Sequence, residues 1–114
     1  MEKQKLLFVC SQNRLRSLTA EKMFDGNSDF AVKSAGTEQG ARVKITAGMI
    51  GWADMIFVME RKHRDRLKQR FSEEIKEKRV ILLNIPDNYD FMQPELIEIL
   101  ESYLAVYFET DLKK

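Results

Sequence analysis

The chain has 114 residues, 44% hydrophobic and 32% charged, with 19 Lys and Arg against 18 Asp and Glu. That length holds one hydrophobic core, read as a single domain over residues 1–114, and the apolar fraction excludes a disordered chain. No run approaches the ~20 apolar residues of a membrane span, and the apolar stretch behind the basic opening is too short for a secretory signal, so a cytoplasmic protein without a membrane partner is expected.

Leu6 to Cys10 is a continuous apolar run rich in strand formers, and Ser17 to Phe24 follows with helical period. Phe30 to Val32 reads as a second buried strand, and Thr46 to Trp52 as a helix whose Trp52 belongs in the core. Met55 to Met59 is a third strand. Glu60 to Phe71 is a helix carrying the densest basic run, residues 61–70. No aromatic residue interleaves those charges, which argues for a solvated helix face and against a nucleic-acid platform, and His63 is expected on that surface. Val80 to Leu83 is a fourth strand. The last helix, Pro94 to Phe108, starts on a proline suited to a first helical turn and sets Leu96, Leu100, Tyr103, Leu104 and Tyr107 on one stripe. Strands without polar alternation, separated by helices, predict an α/β fold: a three-layer, doubly wound, four-stranded parallel sheet with helices on both faces.

Charge is unevenly spread. Residues 1–84 carry 17 basic and 11 acidic side chains, and residues 85–114 carry 2 and 7, so the two parts stand at +6 and −5. This division fits ordinary solvated helix faces and by itself identifies no partner.

Sheets of this kind bind ligands beyond the carboxyl ends of their strands. The first strand ends at Cys10, the chain's one cysteine, which forms neither an internal disulfide nor a cysteine-cluster metal site. From there to the first helix the residues are Cys10, Ser11, Gln12, Asn13, Arg14, Leu15, Arg16 and Ser17. A cysteine, five residues, an arginine and a hydroxyl at a strand-to-helix junction suit phosphate-monoester chemistry through a phosphocysteine. Amide N–H groups of residues 11–16 can curl around a phosphate-like anion, and Arg16 can close the cradle as a two-pronged donor. The same donors favour a thiolate at Cys10, and the Ser17 hydroxyl can stabilise it as a leaving group. No metal or other cofactor is needed. Arg14 either adds to the positive field or faces solvent.

From Leu6 through Ser17 to Glu21 the sequence resembles the N-terminal signature of the low-molecular-weight protein tyrosine phosphatases. The resemblance continues through Ser34-Ala-Gly-Thr37, through Ala41 to Leu67, and through Ile85-Pro-Asp-Asn-Tyr89, in the family's order. It implies that Cys10 is the nucleophile, Arg16 the phosphate clamp and Ser17 the thiolate-stabilising hydroxyl. Asn13 matches the loop asparagine and Ser34 the serine that holds it. Asp87 matches the general acid, with Asp90 the nearby alternative, and Tyr89 an aromatic lining the slot for a phosphotyrosine ring. The implied partner is a phosphotyrosine protein or a small aryl phosphate.

The chain departs from the family at Gln12, where glycine is usual, at Arg14, usually apolar, at Leu15, usually a second cysteine, and at Asn88, usually proline. Losing the second cysteine removes a protective disulfide and exposes Cys10 to overoxidation. The chain is also shorter between Thr37 and Ala41, where the family carries residues that wall the substrate crevice. Two other functions fit part of the pattern. A phosphoryl-relay subunit of the sugar-transport IIB type also phosphorylates a cysteine after its first strand but lacks the arginine clamp, and an inactive phosphate-binding module would use the same cradle without turnover. Arsenate reduction needs further cysteines.

Overall fold

The computed structural model describes residues 3–108. Four strands, β1 (Gln4–Cys10), β2 (Phe30–Gly36), β3 (Met55–Val58) and β4 (Arg79–Leu82), form one sheet in the order β2-β1-β3-β4. All three pairings are parallel. The helices are α1 (Arg16–Met23), α2 (Ala47–Trp52), α3 (Arg61–Arg70), α4 (Ser72–Ile75) and α5 (Pro94–Ala105). The predicted α/β architecture is therefore the observed one. β2 runs four residues further than its apolar pattern suggested and carries Ser34 in register with Phe8. The single turn of α4, rich in glutamate and too short for a period to show, went unforeseen.

β1 explains why the sheet needs cover on both sides. Leu6 to Cys10 are all buried, and alternate residues face opposite layers. Leu6, Phe8 and Cys10 join a cluster with Ala20 and Phe24 of the first crossover and Leu96, Leu100 and Leu104 of α5. Leu7 and Val9 join Ile50, Leu67 and Ile75 on the other face. Phe8 stacks on Phe57 at 5.1 Å and on Phe24 at 5.9 Å, tying α1 to the sheet. Each such side chain contributes roughly 2 kcal/mol by burial, so β1 is a rigid base for the loop at its end.

α3 behaves as a basic surface helix in all but two places. Leu67 and His63, one turn apart, are buried, Arg64 and Arg66 are half-buried, and its other cations are exposed. His63 thus contradicts the surface expectation: its Nδ1 accepts the Glu60 N–H at 3.0 Å, capping the helix and pulling the ring inward. On α5 the buried stripe is Leu96, Leu100 and Leu104, whereas Tyr103, expected inside, is 43% exposed. It lies at the stripe's margin beside Leu82 and Leu83, where an edge strand leaves nothing further to pack on. Trp52, expected in the core, is half-buried at its border as the last residue of α2, with Lys33 Nζ 4.5 Å from the ring centroid.

Because the chain leaves β1 toward β2 on one side and returns to β3 on the other, the carboxyl ends of β1 and β3 flank the switch point of the sheet. Cys10 closes β1, and Glu60 lies two residues beyond the end of β3.

Candidate active site

The loop from Cys10 to Arg16 is shaped by where its carbonyls go. The Cys10 and Ser11 carbonyls accept from the N–H groups of Thr37 and Glu38 at 3.0 Å each, and the Gln12 carbonyl accepts from Arg42 N–H at 2.9 Å. The Asn13 carbonyl accepts from Arg42 Nε at 3.1 Å. With its oxygens turned outward, the loop's N–H groups at residues 11–15 have no backbone partner among the described residues. Such a run of unpaired amides is a ready anion site at the start of α1. Gly36 permits the arrangement, since a Cβ there would sit 2.5 Å from the Ser11 carbonyl oxygen. The short segment between Thr37 and Ala41 therefore buttresses the loop from behind.

Asn13 takes the left-handed backbone (φ 59°) that bends the loop. Its Nδ2 donates to Ser17 Oγ and to Ser34 Oγ, both at 2.8 Å, and Ser34 donates onward to Glu21 at 2.6 Å. Ser17 Oγ, accepting from Asn13, also lies 2.9 Å from Cys10 Sγ, where its hydroxyl can donate to the sulfur once that is a thiolate. A chain of bonds thus runs from the Glu21 carboxylate through two serines and an amide to the sulfur. Asn13, Ser17 and Ser34 are all buried.

Arg16 is 2% exposed. Its Nη1 donates to Glu60 Oε1 at 2.5 Å and to the Ile85 carbonyl at 2.8 Å, which fixes the guanidinium plane. Its Nε is buried without a hydrogen-bond partner among the described residues, which leaves that donor for a ligand. Asp87 Oδ1 approaches that Nε at 3.9 Å, from a side chain 61% exposed. Burial raises the pKa of Glu60, but the hydrogen bond and charge of Arg16, together with the charges of Lys62 and His63, outweigh it, so the group ends below the usual carboxylate value. Burial, and then Arg16, push the His63 pKa down to about 4.

A cavity of about 200 Å³ is lined by Cys10, Ser11, Gln12, Arg14, Leu15, Arg16 and Asp87. It brings together the nucleophile, clamp and acid candidates. Asn13, Ser17 and Ser34 lie behind it as a scaffold, and Tyr89 lies half-buried against the core cluster, outside the cavity lining. Arg14 is exposed at the rim. A wider depression of about 420 Å³ between α3, α4 and β4 is basic and contains no cysteine. Glu60, Glu21 and Arg42 were not singled out from the sequence, and His63 was assigned to the surface. Only Glu60 carried a signal: an acidic residue directly after a buried strand's carboxyl end, where this fold places ligands.

No family model matches the sequence, and comparison with curated proteins gives no significant match. Solved structures do match. The low-molecular-weight protein tyrosine phosphatase SP-PTP from Streptococcus pyogenes aligns with a TM-score of 0.74 at 17% identity, over 92% of this chain and 93% of its own. The tyrosine phosphatase Wzb from Escherichia coli K30, in complex with phosphate, gives 0.73 at 20% identity, over 93% and 96%. The YwlE arginine phosphatase from Geobacillus stearothermophilus gives 0.70 at 20% identity, over 93% of each chain. The chain has the fold of these phosphatases along nearly its full length.

Proposed function

We propose that the protein is a metal-independent phosphomonoesterase acting on aryl phosphates, such as phosphotyrosine in a protein, through a phosphocysteine intermediate. The observation that carries this reading is that Cys10 lines a cavity whose loop amides and Arg16 Nε have no hydrogen-bond partner among the described residues. In the first step Cys10 Sγ attacks phosphorus, the ester P–O bond breaks, and protonated Asp87 passes its proton to the departing oxygen. In the second, Asp87 as carboxylate takes a proton from water, whose oxygen attacks phosphorus. The S–P bond breaks, and Ser17 steadies the leaving thiolate through its 2.9 Å contact. The loop amides and Arg16 hold the three phosphoryl oxygens throughout, where charge develops.

The matched structures include both tyrosine and arginine phosphatases. Arg14 favours the first. It lines the cavity and makes no ion pair among the described residues, so a phosphoarginine substrate would bring its guanidinium against a like charge, whereas an aryl ring can lie beside it. The test is hydrolysis of p-nitrophenyl phosphate, phosphotyrosine and phosphoarginine in the presence of a chelator. Turnover of the aryl esters by wild type and none by Cys10→Ser supports the proposal; phosphate bound without hydrolysis of any substrate returns the protein to a binding module. Arg14→Ala should narrow the preference for aryl over guanidino phosphate.

A further inference from the structure

His63 is the chain's one histidine and is fully buried, yet nothing in the mechanism above uses it. Its two ring nitrogens are both engaged. Nδ1 accepts the Glu60 backbone N–H at 3.0 Å, and a nitrogen that accepts carries no proton. In the neutral ring the proton is therefore on Nε2, which lies 2.9 Å from Ser11 Oγ and must donate to it. Ser11 Oγ, accepting from the imidazole, keeps its own hydrogen free, and that hydrogen has no acceptor among the described residues. Ser11 lines the cavity beside Cys10 and Arg16.

On the phosphoryl-binding reading of this cavity, we infer that Ser11 is a further side-chain donor to the bound phosphoryl group and that His63 is the positioning residue that turns its hydroxyl inward. The relay runs from the cap of α3 through the imidazole to the loop, so the same backbone N–H that starts the helix sets the direction of a hydrogen bond to the ligand. Burial supports it by holding the ring neutral well below pH 7. Glu60 serves both halves of the site: its amide orients His63 and its carboxylate orients Arg16.

Calorimetric titration of inorganic phosphate reads the relay directly, with aryl phosphate hydrolysis measured beside it. Ser11→Ala should bind phosphate about tenfold more weakly, the size of one hydrogen bond to a charged acceptor. His63→Asn, whose Oδ1 can still accept the Glu60 N–H but whose side chain stops short of Ser11, should lose roughly fivefold, and His63→Gln, which restores a donor at the Nε2 position, should recover to within about twofold of wild type. Combining His63→Asn with Ser11→Ala should add nothing to Ser11→Ala alone. Nitrogen-15 resonances of the single histidine should report the Nε2-protonated neutral ring at pH 7. Unchanged phosphate affinity in Ser11→Ala, additive losses in the double variant, or a ring protonated on Nδ1 would each overturn the relay. A wild type that binds phosphate and loses affinity in Ser11→Ala without hydrolysing esters supports the relay and removes only the enzymatic reading. A wild type that binds no phosphate removes both.

Discussion

The loop from β1 to α1 and the loop from β4 to α5 meet across one cavity, and they are held in opposite ways. In the first, four successive carbonyls are bonded to residues 37–42, and Asn13 and Ser17 are buried in a shared network. In the second, Ile85 is buried and anchored between Met59 and Arg16, while Pro86, Asp87 and Asn88 are exposed; the chain is next held at Asp90, bonded to Gln93, and at Met92, whose N–H donates to Thr19. The contrast follows from the tasks proposed for them. Donors that stabilise developing charge work best when already fixed, so that no reorganisation is needed at the moment of reaction. A proton donor must reach the leaving oxygen of differing substrates, and its position gains from exposure. Substitutions in the cradle should therefore cost stability along with chemistry, and those in the acid loop chemistry alone.

The strongest test of that division is Arg16→Ala. Loss of the clamp should lower aryl phosphate turnover about a thousandfold. It should also cost ~1–3 kcal/mol in urea denaturation, because the buried Ile85 carbonyl loses its donor. Full stability in this variant would break the comparison.

The pH dependence of stability comes next. Unfolded His63 titrates near 6.5 and the native ring near 4, so between these values the unfolded chain binds a proton that the native state refuses. His63's contribution is complete above about pH 6.5 and is lost as pH falls toward 4, with a ceiling of ~3 kcal/mol from the size of the shift. The groups acting on the ring are Arg16, Glu60, Lys62 and Arg66. Urea midpoints of His63→Gln should be flatter than wild type across that window. Glu60, whose pKa is lowered, adds its own loss only at lower pH.

Asp87→Asn should slow esters with poor leaving groups by about a hundredfold, and activated esters less, while stability stays within ~0.5 kcal/mol. Asp90→Asn serves as its control. Should Asp90→Asn carry the loss instead, the acid moves three residues along the loop. The smallest expected effect separates backbone from side chain at Asn13. Asn13→Gly keeps the left-handed turn but loses the bonds to Ser17 and Ser34, and Asn13→Ala should be about 1 kcal/mol less stable still, since it also strains the turn.

Legibility differed with sequence distance. Cys10, Asn13, Arg16 and Ser17 lie within eight residues, so their spacing could be weighed against one chemistry before any fold was known. Arg16's partners are Glu60 and Ile85, 44 and 69 residues away. His63 stood in a run of cations, where helical periodicity averages over neighbours and an inward-turned polar ring leaves no mark. Arg42 supports the loop through a segment without regular period.

By itself the amino-acid order determined the alternation of strands and helices and the strand-to-helix loop, because continuous apolar runs, helical spacing and a cysteine six positions before an arginine are local properties. The tertiary structure alone decided that Glu60 and Ile85 hold the arginine, that His63 reaches Ser11, and that Asp87 and Cys10 line one cavity. Those meetings depend on the order β2-β1-β3-β4, which sets the ends of β1 and β3 side by side, and strand order is the outcome of burying two apolar faces at once.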